Sequence, residues 1–118
     1  MSVRVFHVTN LDGLQGIKEK NCILATGKGV RDSSTRRAYI YHEEPNWVAC
    51  DIVGDPDSAK VVLELEIPDD VVLHEDDTEG LEEGYTYSDI YGKASYSGTD
   101  IPCIVLRYYR APTFDLLS

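Results

Sequence analysis

Three kinds of side chain in this sequence could carry chemistry: a histidine, a pair of tyrosines and a run of acids. His7 stands in "FHVTN", where a strand-like pattern gives way to a helix-like one, and an imidazole at such a place can hydrogen-bond a ligand. Tyr39 and Tyr41 alternate with other residues in "AYIY", so on a strand their rings share one face and could stack on a flat molecule. The acids of "HEDD", residues 74–77, follow a strand and could stabilise a cation that develops beside them.

Each of these features also has a plain structural interpretation. A histidine at the position of His7 can also be an ordinary surface residue or lie at the edge of the core. Two tyrosines on one strand face are typical of a core. An acidic run is usually a solvated loop. Tyr41 ends its strand, so we expect it to be less buried than Tyr39 and choose it as the better functional candidate.

Length and composition indicate one globular domain spanning residues 1–118. The chain has 118 residues, of which 42% are hydrophobic and 27% charged. No apolar run approaches the roughly 20 residues that a membrane helix needs. The first ten residues lack the apolar segment of a secretory signal, so we expect a cytoplasmic protein without membrane contact.

The charge balance narrows the choice of partners. There are 21 acidic and 11 basic residues, a formal net charge of −10. Such a field repels phosphates, which makes a nucleic-acid partner unlikely. A cationic partner, a saline cytoplasm and imitation of nucleic acid remain open, as does simple solubility.

Cysteine usage predicts neither disulfides nor a metal site. Cys22, Cys50 and Cys103 are far apart, and no pair has metal-ligand spacing. The odd number without a secretory signal favours free thiols in a reducing compartment. All three stand among apolar neighbours, so we expect small buried side chains rather than nucleophiles.

The elements that must position these groups follow from hydrophobic periodicity. Apolar residues recur at helical spacing in 11–20, behind a possible N-cap at Thr9 or Asn10, and in 44–53, where Pro45 suits a first helical turn. Alternating or β-branched runs predict strands at 3–9, 21–26, 38–42, 59–68 and 101–110, with a short strand edge in 69–80. The order β-α-β-β-α-β-β predicts an α+β fold with a mostly antiparallel sheet and two short helices.

Three segments carry more specific expectations. In 59–68, Lys60, Glu64 and Glu66 alternate with apolar residues, which predicts a strand with one exposed face. The run "IVL" in 101–110 is apolar on both faces, which favours a central position in a sheet. Residues 81–98 are rich in Tyr, Ser and Gly and are expected to form a long ordered loop.

Taken in order, these short motifs resemble the small ADP-ribosyltransferases of the His-Tyr-Glu/Asp type, most closely the rifamycin ADP-ribosyltransferases. "HVT" is similar to that family's His-Gly-Thr-like motif at a strand end, and "YIYHEEPNWVACDI" to its Tyr-x-Tyr strand that leads into a helix with a tryptophan. "VVLELEIPDDVVLHEDD" and "SYSGTDIPCIVLRYY" follow the order of the later strands and acidic turn. The resemblance spans nearly the whole chain and implies an ADP-ribosyltransferase-like split sheet.

The resemblance also implies roles for individual residues. His7, supported by Thr9, would hold the adenosine-side ribose of NAD by hydrogen bonding. Tyr41 would stack on the nicotinamide ring. The carboxylate that stabilises the reacting ribose would be Asp77, with Asp100, just before the last strand, as the second choice.

Two further groups could complete a nucleotide site. Val8 stands where the family often has glycine. The implied contacts from this position to the nicotinamide amide are made by backbone atoms, which permits valine although its side chain could crowd the ring.

Arg31, Arg36 and Arg37 lie in the predicted loop 27–37 and could bind the pyrophosphate, because a guanidinium matches phosphate geometry. A solvated charge cluster is the alternative for that loop.

These residue types suit cleavage of the bond between nicotinamide and ribose. Positive charge develops on the ribose as the bond breaks, and a fixed carboxylate lowers the energy of that charge. An aromatic ring holds the cationic nicotinamide, and a histidine on the other ribose orients the reactive bond.

We therefore predict an enzyme, a NAD-dependent ADP-ribosyltransferase that uses NAD as a substrate and releases nicotinamide. The acceptor is a small molecule or a protein; the acidic motif typical of protein-arginine modifiers is absent, so arginine is not the predicted acceptor. Two alternatives stay open. One is an acidic binding or inhibitor protein that imitates nucleic acid without catalysis, and the other is a NAD glycohydrolase, which uses water as acceptor.

Overall fold

Eight strands and one helix make up the part of the chain that the computed structural model describes, residues 2–25, 37–45, 60–75 and 93–110. In chain order these elements are β1 (Ser2–Asn10), α1 (Leu11–Lys20), β2 (Cys22–Ile23), β3 (Ala38–Tyr41), β4 (Lys60–Pro68), β5 (His74–Glu75), β6 (Ala94–Ser97), β7 (Ile101–Pro102) and β8 (Ile104–Arg110).

The larger of two sheets has six strands in the order β5-β6-β3-β1-β4-β8, and every neighbouring pair is antiparallel, as predicted. β1 pairs with β4 along its whole length, from Ser2 opposite Pro68 to Asn10 opposite Lys60. β1 and β3 share a single residue pair, which matches Phe6 with Tyr41. The pairing of β1 with β3 is therefore local.

The helix α1 begins and ends where the sequence predicted. The Asn10 side chain accepts a hydrogen bond from the Gly13 N–H at 2.8 Å, which satisfies one of the unpaired donors of the first turn. Asn21 closes the helix in the left-handed conformation, with φ of 53°, and its N–H bonds the Ile17 carbonyl. Asparagine tolerates that conformation better than most residues do, which accounts for the position of the helix end.

The core lies on one face of the larger sheet, between that sheet and a layer formed by α1 and the two-stranded β2–β7 sheet. Val5, Ile40, Leu63 and Leu65 supply the sheet side of this core and are each fully buried. We call this side the core face and the other side the opposite face. Each buried aliphatic side chain of this size contributes about 1.5–3 kcal/mol. Leu14, Ile17, Ile23, Ile101 and Cys103 supply the covering layer.

The predicted α+β fold class is wrong. About 60% of the described residues lie in strands, and the described residues contain one helix, so the chain is mostly β. The physical reason is that β5 and β6 pair with each other and extend the antiparallel sheet, although the sequence predicted a short strand edge and a loop in these segments. The second predicted helix, 44–53, lies outside the described residues from position 46 onward, and Glu44 and Pro45 are not helical.

Three local expectations are also corrected. The predicted loop 81–98 contains a strand at its end, β6, which pairs on both sides. β8 forms an edge of the sheet instead of its centre. β4 is buried on both faces: Glu64 is only 7% exposed because Arg4 and Arg107 both pair with its carboxylate. Charged residues on a central strand are tolerated when they are paired in this way.

Within the described residues, no helix is long and apolar enough to cross a membrane.

Candidate functional site

His7 lies on a central strand, and its imidazole is tied to the neighbouring strand. It stands opposite Leu63 of β4, which places it on the core face. Its Nδ1–H donates to the carbonyl oxygen of Tyr39 in β3 at 2.8 Å. β1 and β3 pair at only one position. The hydrogen-bond donor that β1 offers to the Tyr39 carbonyl is therefore the His7 side chain and not a backbone N–H.

The surroundings of His7 favour the neutral ring. Burial lowers the pKa of this half-buried imidazole, and the hydrogen bond to the Tyr39 carbonyl offsets part of that effect. In the neutral ring the donating Nδ1 carries the proton, so Nε2 is an acceptor. The described residues supply no hydrogen bond to Nε2.

Thr9 and Val8 serve the fold in ways that the sequence pattern did not predict. An added Cβ at Gly13 would lie 1.9 Å from the Thr9 Oγ1, so this side chain packs directly against the first turn of α1. Val8 pairs with Val62 in β4 and is 5% exposed. By strand alternation Val8 points to the opposite face, whereas His7 and Thr9 point to the core face.

Tyr41 does not share a face with His7. It pairs with Phe6, the neighbour of His7 in β1, so its ring lies on the opposite face. It is also 5% exposed, whereas Tyr39 is only half-buried, which reverses the exposure expected from the sequence. The strand end does not expose this ring, because pairing with both Phe6 and Ala94 places it well inside the sheet.

Tyr39 belongs to an aromatic cluster on the opposite face, across β3, β6 and β5. Its ring centroid lies 6.0 Å from that of Tyr96, and the His74 ring lies 5.3 Å from Tyr96 on the other side. The Arg37 guanidinium, one of three predicted to bind pyrophosphate, stacks over Tyr96 at 4.1 Å. Arg37 therefore makes a cation–π contact in this cluster.

Asp100 is exposed and anchors the covering layer of the core face. Its Oδ1 accepts a hydrogen bond from the Ala25 N–H at 2.8 Å, which ties the end of the β2 segment to the start of β7. The neighbouring Ile101 packs in the same core cluster as Val5 and Ile40. Asp100 thus belongs to the layer that covers the face on which His7 lies.

Asp77, Arg31 and Arg36 lie outside the described residues. Among the candidates that the structure describes, His7, Thr9 and Asp100 belong to the core-face side of the larger sheet, whereas Val8, Arg37 and Tyr41 belong to the opposite face. The described residues therefore do not bring His7 and Tyr41 together in one groove.

A second polar pair was not predicted from the sequence. His42 Nε2 and Ser95 Oγ lie 2.6 Å apart, and the His42 N–H also bonds the Lys93 carbonyl at 3.1 Å. Burial lowers the pKa of His42, the Lys93 charge lowers it further, and Glu43 and Glu75 act against this. The pair was missed because Ser95 falls in the segment read as loop; its recognition depends on the β3–β6 register.

Comparison of the chain with protein-family models, with curated proteins and with solved structures finds no match. The resemblance to ADP-ribosyltransferases therefore stays a prediction from the order of short motifs. Within the described residues, no three His, Cys, Asp or Glu side chains are grouped so that they could hold a metal ion.

Proposed function

We propose that this protein is a NAD-dependent ADP-ribosyltransferase that transfers ADP-ribose from NAD to a small molecule or a protein and releases nicotinamide. The single observation that supports this best is the state of His7. Its ring is fixed by Nδ1, is favoured in the neutral form, and receives no partner at Nε2 from the described residues. A neutral acceptor of fixed orientation suits a ribose hydroxyl, which can donate to it.

In the proposed reaction the bond between the ribose C1′ and the nicotinamide nitrogen breaks, and its electron pair leaves with nicotinamide. The acceptor oxygen or nitrogen then bonds C1′ and gives up its proton. Asp100 is exposed in the layer that covers the His7 face and is our candidate for stabilising the developing cation. Asp77 remains the other candidate. Tyr41 is left out of the proposed ligand contacts, because its ring is buried on the opposite face.

The test is release of nicotinamide from NAD by the purified protein, measured by chromatography. We expect His7→Ala to lower the rate at least about tenfold, the effect of losing one well-placed hydrogen bond to substrate. His74→Ala removes an exposed histidine on β5 and is the matched control, expected to keep the wild-type rate. Thermal unfolding of each variant separates loss of the site from loss of the fold.

Failure of the wild-type protein to release nicotinamide above a blank would refute the proposal, and equal rates in wild type and His7→Ala would refute the role of His7. The product distinguishes transfer from hydrolysis: free ADP-ribose as the sole product, with every acceptor tried, would identify a NAD glycohydrolase.

A second candidate function is an acidic binding or inhibitor protein that does not catalyse a reaction. The separation of His7 and Tyr41 onto opposite faces favours this alternative, as does the net charge of −10. Titration calorimetry with NAD discriminates between the two. Binding heat at micromolar to millimolar NAD, lost in His7→Ala, supports the enzyme; the absence of heat supports the binding protein.

A further inference from the structure

Ser95 and His42 form a hydroxyl–imidazole pair at the end of the larger sheet where β3 stops and β6 begins. The His42 Nε2 and the Ser95 Oγ lie 2.6 Å apart, which is the separation of a strong hydrogen bond. The bond from the His42 N–H to the Lys93 carbonyl continues the β3–β6 ladder one residue beyond the pair of Tyr41 and Ala94. Two paired strands therefore hold the hydroxyl and the imidazole in contact.

The surroundings of His42 favour a ring that can accept a proton. Burial lowers the pKa of His42 and the charge of Lys93 lowers it further, so the imidazole is favoured in its neutral form near neutral pH. When Nδ1 of a neutral ring carries the proton, Nε2 accepts the hydrogen bond that a hydroxyl donates. A histidine in this arrangement can take the proton of a serine as the serine oxygen attacks a substrate.

Charged groups of both signs lie near the pair. Glu75 of β5 stands opposite Ser95, and Glu43 follows His42 in the chain. Both carboxylates raise the pKa of His42, so they would stabilise the imidazolium once it has taken up a proton. Lys93 is the cation beside His42, and it could stabilise the negative charge on a carbonyl oxygen under attack.

The burial of the pair limits the size of a substrate. Ser95 is 6% exposed, and Ile40, which stands opposite it in β3, is fully buried in the core. His42 is half-buried, whereas Lys93 and Glu75 are exposed. The pair thus lies between the core and the exposed charged residues at this end of the sheet. Such limited exposure favours a small acyl group over a bulky one.

We propose that Ser95 is the nucleophile and His42 the general base of an esterase site for small activated acyl esters. The Ser95 oxygen bonds the carbonyl carbon, its proton passes to the His42 Nε2, and the carbonyl oxygen takes up negative charge. The bond to the leaving oxygen then breaks, and that oxygen departs with the electron pair and takes the proton from Nε2. Water attacks the acyl group on Ser95 in the same way, which releases the carboxylic acid and restores the hydroxyl. This proposal does not depend on the proposed ADP-ribosyltransferase activity.

The probe is p-nitrophenyl acetate, and the test measures release of p-nitrophenol by the full-length protein without NAD. We expect His42→Gln to lower the rate at least about a hundredfold, because the glutamine amide can still hydrogen-bond Ser95 but cannot take up its proton. Ser95→Ala should have a similar effect. The wild-type rate should fall as the pH drops below about 6.5 and the base is protonated, which a purely structural hydrogen bond would not cause.

The acyl intermediate provides an independent measurement. After acid quenching, mass spectrometry should find an acetyl ester on Ser95 in the tryptic peptide 94–107 of the wild-type protein. Hydroxylamine should remove this ester, whereas it leaves an acetylated lysine intact. The same peptide from Ser95→Ala should carry no such ester.

His74→Gln changes an exposed histidine on β5 and is the matched control, expected to keep the wild-type rate. Thermal unfolding verifies that each variant folds. A wild-type rate no higher than a buffer blank, or equal rates in the wild type and His42→Gln, would overturn the proposal. The hydrogen bond would then serve only to link β3 to β6.

Discussion

His7 and Glu64 illustrate two ways in which this fold accommodates a polar side chain on a central strand. Glu64 is only 7% exposed and lies between two guanidiniums: Arg4 Nε lies 3.2 Å from Oε1, and Arg107 donates to Oε2. His7 instead loses its charge, because burial lowers its pKa and the bond to the Tyr39 carbonyl favours one orientation of the ring. The carboxylate is thus engaged by partners at both oxygens, whereas the imidazole receives no hydrogen bond at Nε2 from the described residues.

The two described cysteines should differ sharply in reactivity. Cys103 is 4% exposed, and burial, with a smaller effect of Cys22, raises the pKa of its thiol to about 11. Since the thiolate is the nucleophile, only about one thiol in a thousand would be ionised at pH 8. We expect native-state alkylation by iodoacetamide, followed by peptide mapping, to label Cys103 at least about tenfold more slowly than the half-buried Cys22.

In denaturant the two thiols should react at similar rates, which provides the control for intrinsic differences between the peptides. Equal labelling in the native protein would contradict the burial of Cys103. The free state of both described thiols agrees with the sequence-based expectation, and Cys103 lies in the core as predicted.

α1 contains two glycines that the sequence alone treats alike, since each weakens a helix. Their surroundings differ: a Cβ at Gly13 would clash with the Thr9 side chain at 1.9 Å, whereas a Cβ at Gly16 would meet nothing within 4 Å. Gly13 is therefore required for the close approach of β1 and α1, and Gly16 is not.

We expect opposite effects from the same substitution at these two positions. Gly16→Ala should raise the free energy of unfolding by about 0.5–1 kcal/mol, because alanine loses less conformational entropy in a helix. Gly13→Ala should lower it by about 1–3 kcal/mol, the usual cost of overpacking. Urea denaturation measures both. Equal effects of the two substitutions would mean that Thr9 does not pack against α1 as described.

For the molecule as a whole, two half-buried imidazoles, His7 and His42, should make the free energy of unfolding depend on pH. The pKa values of His7 and His42 are both lowered in the folded chain, so the unfolded chain binds more protons once the pH falls below about 6.5, the ordinary histidine value. The stabilisation is thus complete above that pH and is lost as the pH falls toward the folded pKa values. Glu43, Glu75 and Lys93 are the charges that act on His42.

Urea denaturation between pH 7.5 and 5.5, a window above most carboxylate titrations, tests this dependence. Each histidine should contribute a slope of up to about 1.4 kcal/mol per pH unit. His7→Gln and His42→Gln should each flatten the dependence, whereas His74→Gln, at an exposed position, should follow the wild-type curve. A wild-type stability that rises on acidification across this window would contradict the prediction.

The periodic pattern of the chain predicted several elements closely, since local spacing determines them. α1 occupies the predicted residues because a stripe of apolar side chains, an Asn cap and an Asn terminator all lie within its own segment. β1 extends one residue beyond its predicted bounds at each end, and β4 begins one residue later than predicted. β6 was missed, because Ser95 and Ser97 are buried polar residues whose burial depends on strands distant in sequence.

Local sequence therefore determined where most strands and α1 form, because backbone preference and side-chain alternation act within a few residues. It could not decide which face each candidate side chain occupies relative to another strand. The pairing of Tyr41 with Phe6, and not with His7, is a matter of register between segments more than thirty residues apart, and a shift of one residue would reverse it. Tertiary pairing alone placed His7 and Tyr41 on opposite faces of the larger sheet.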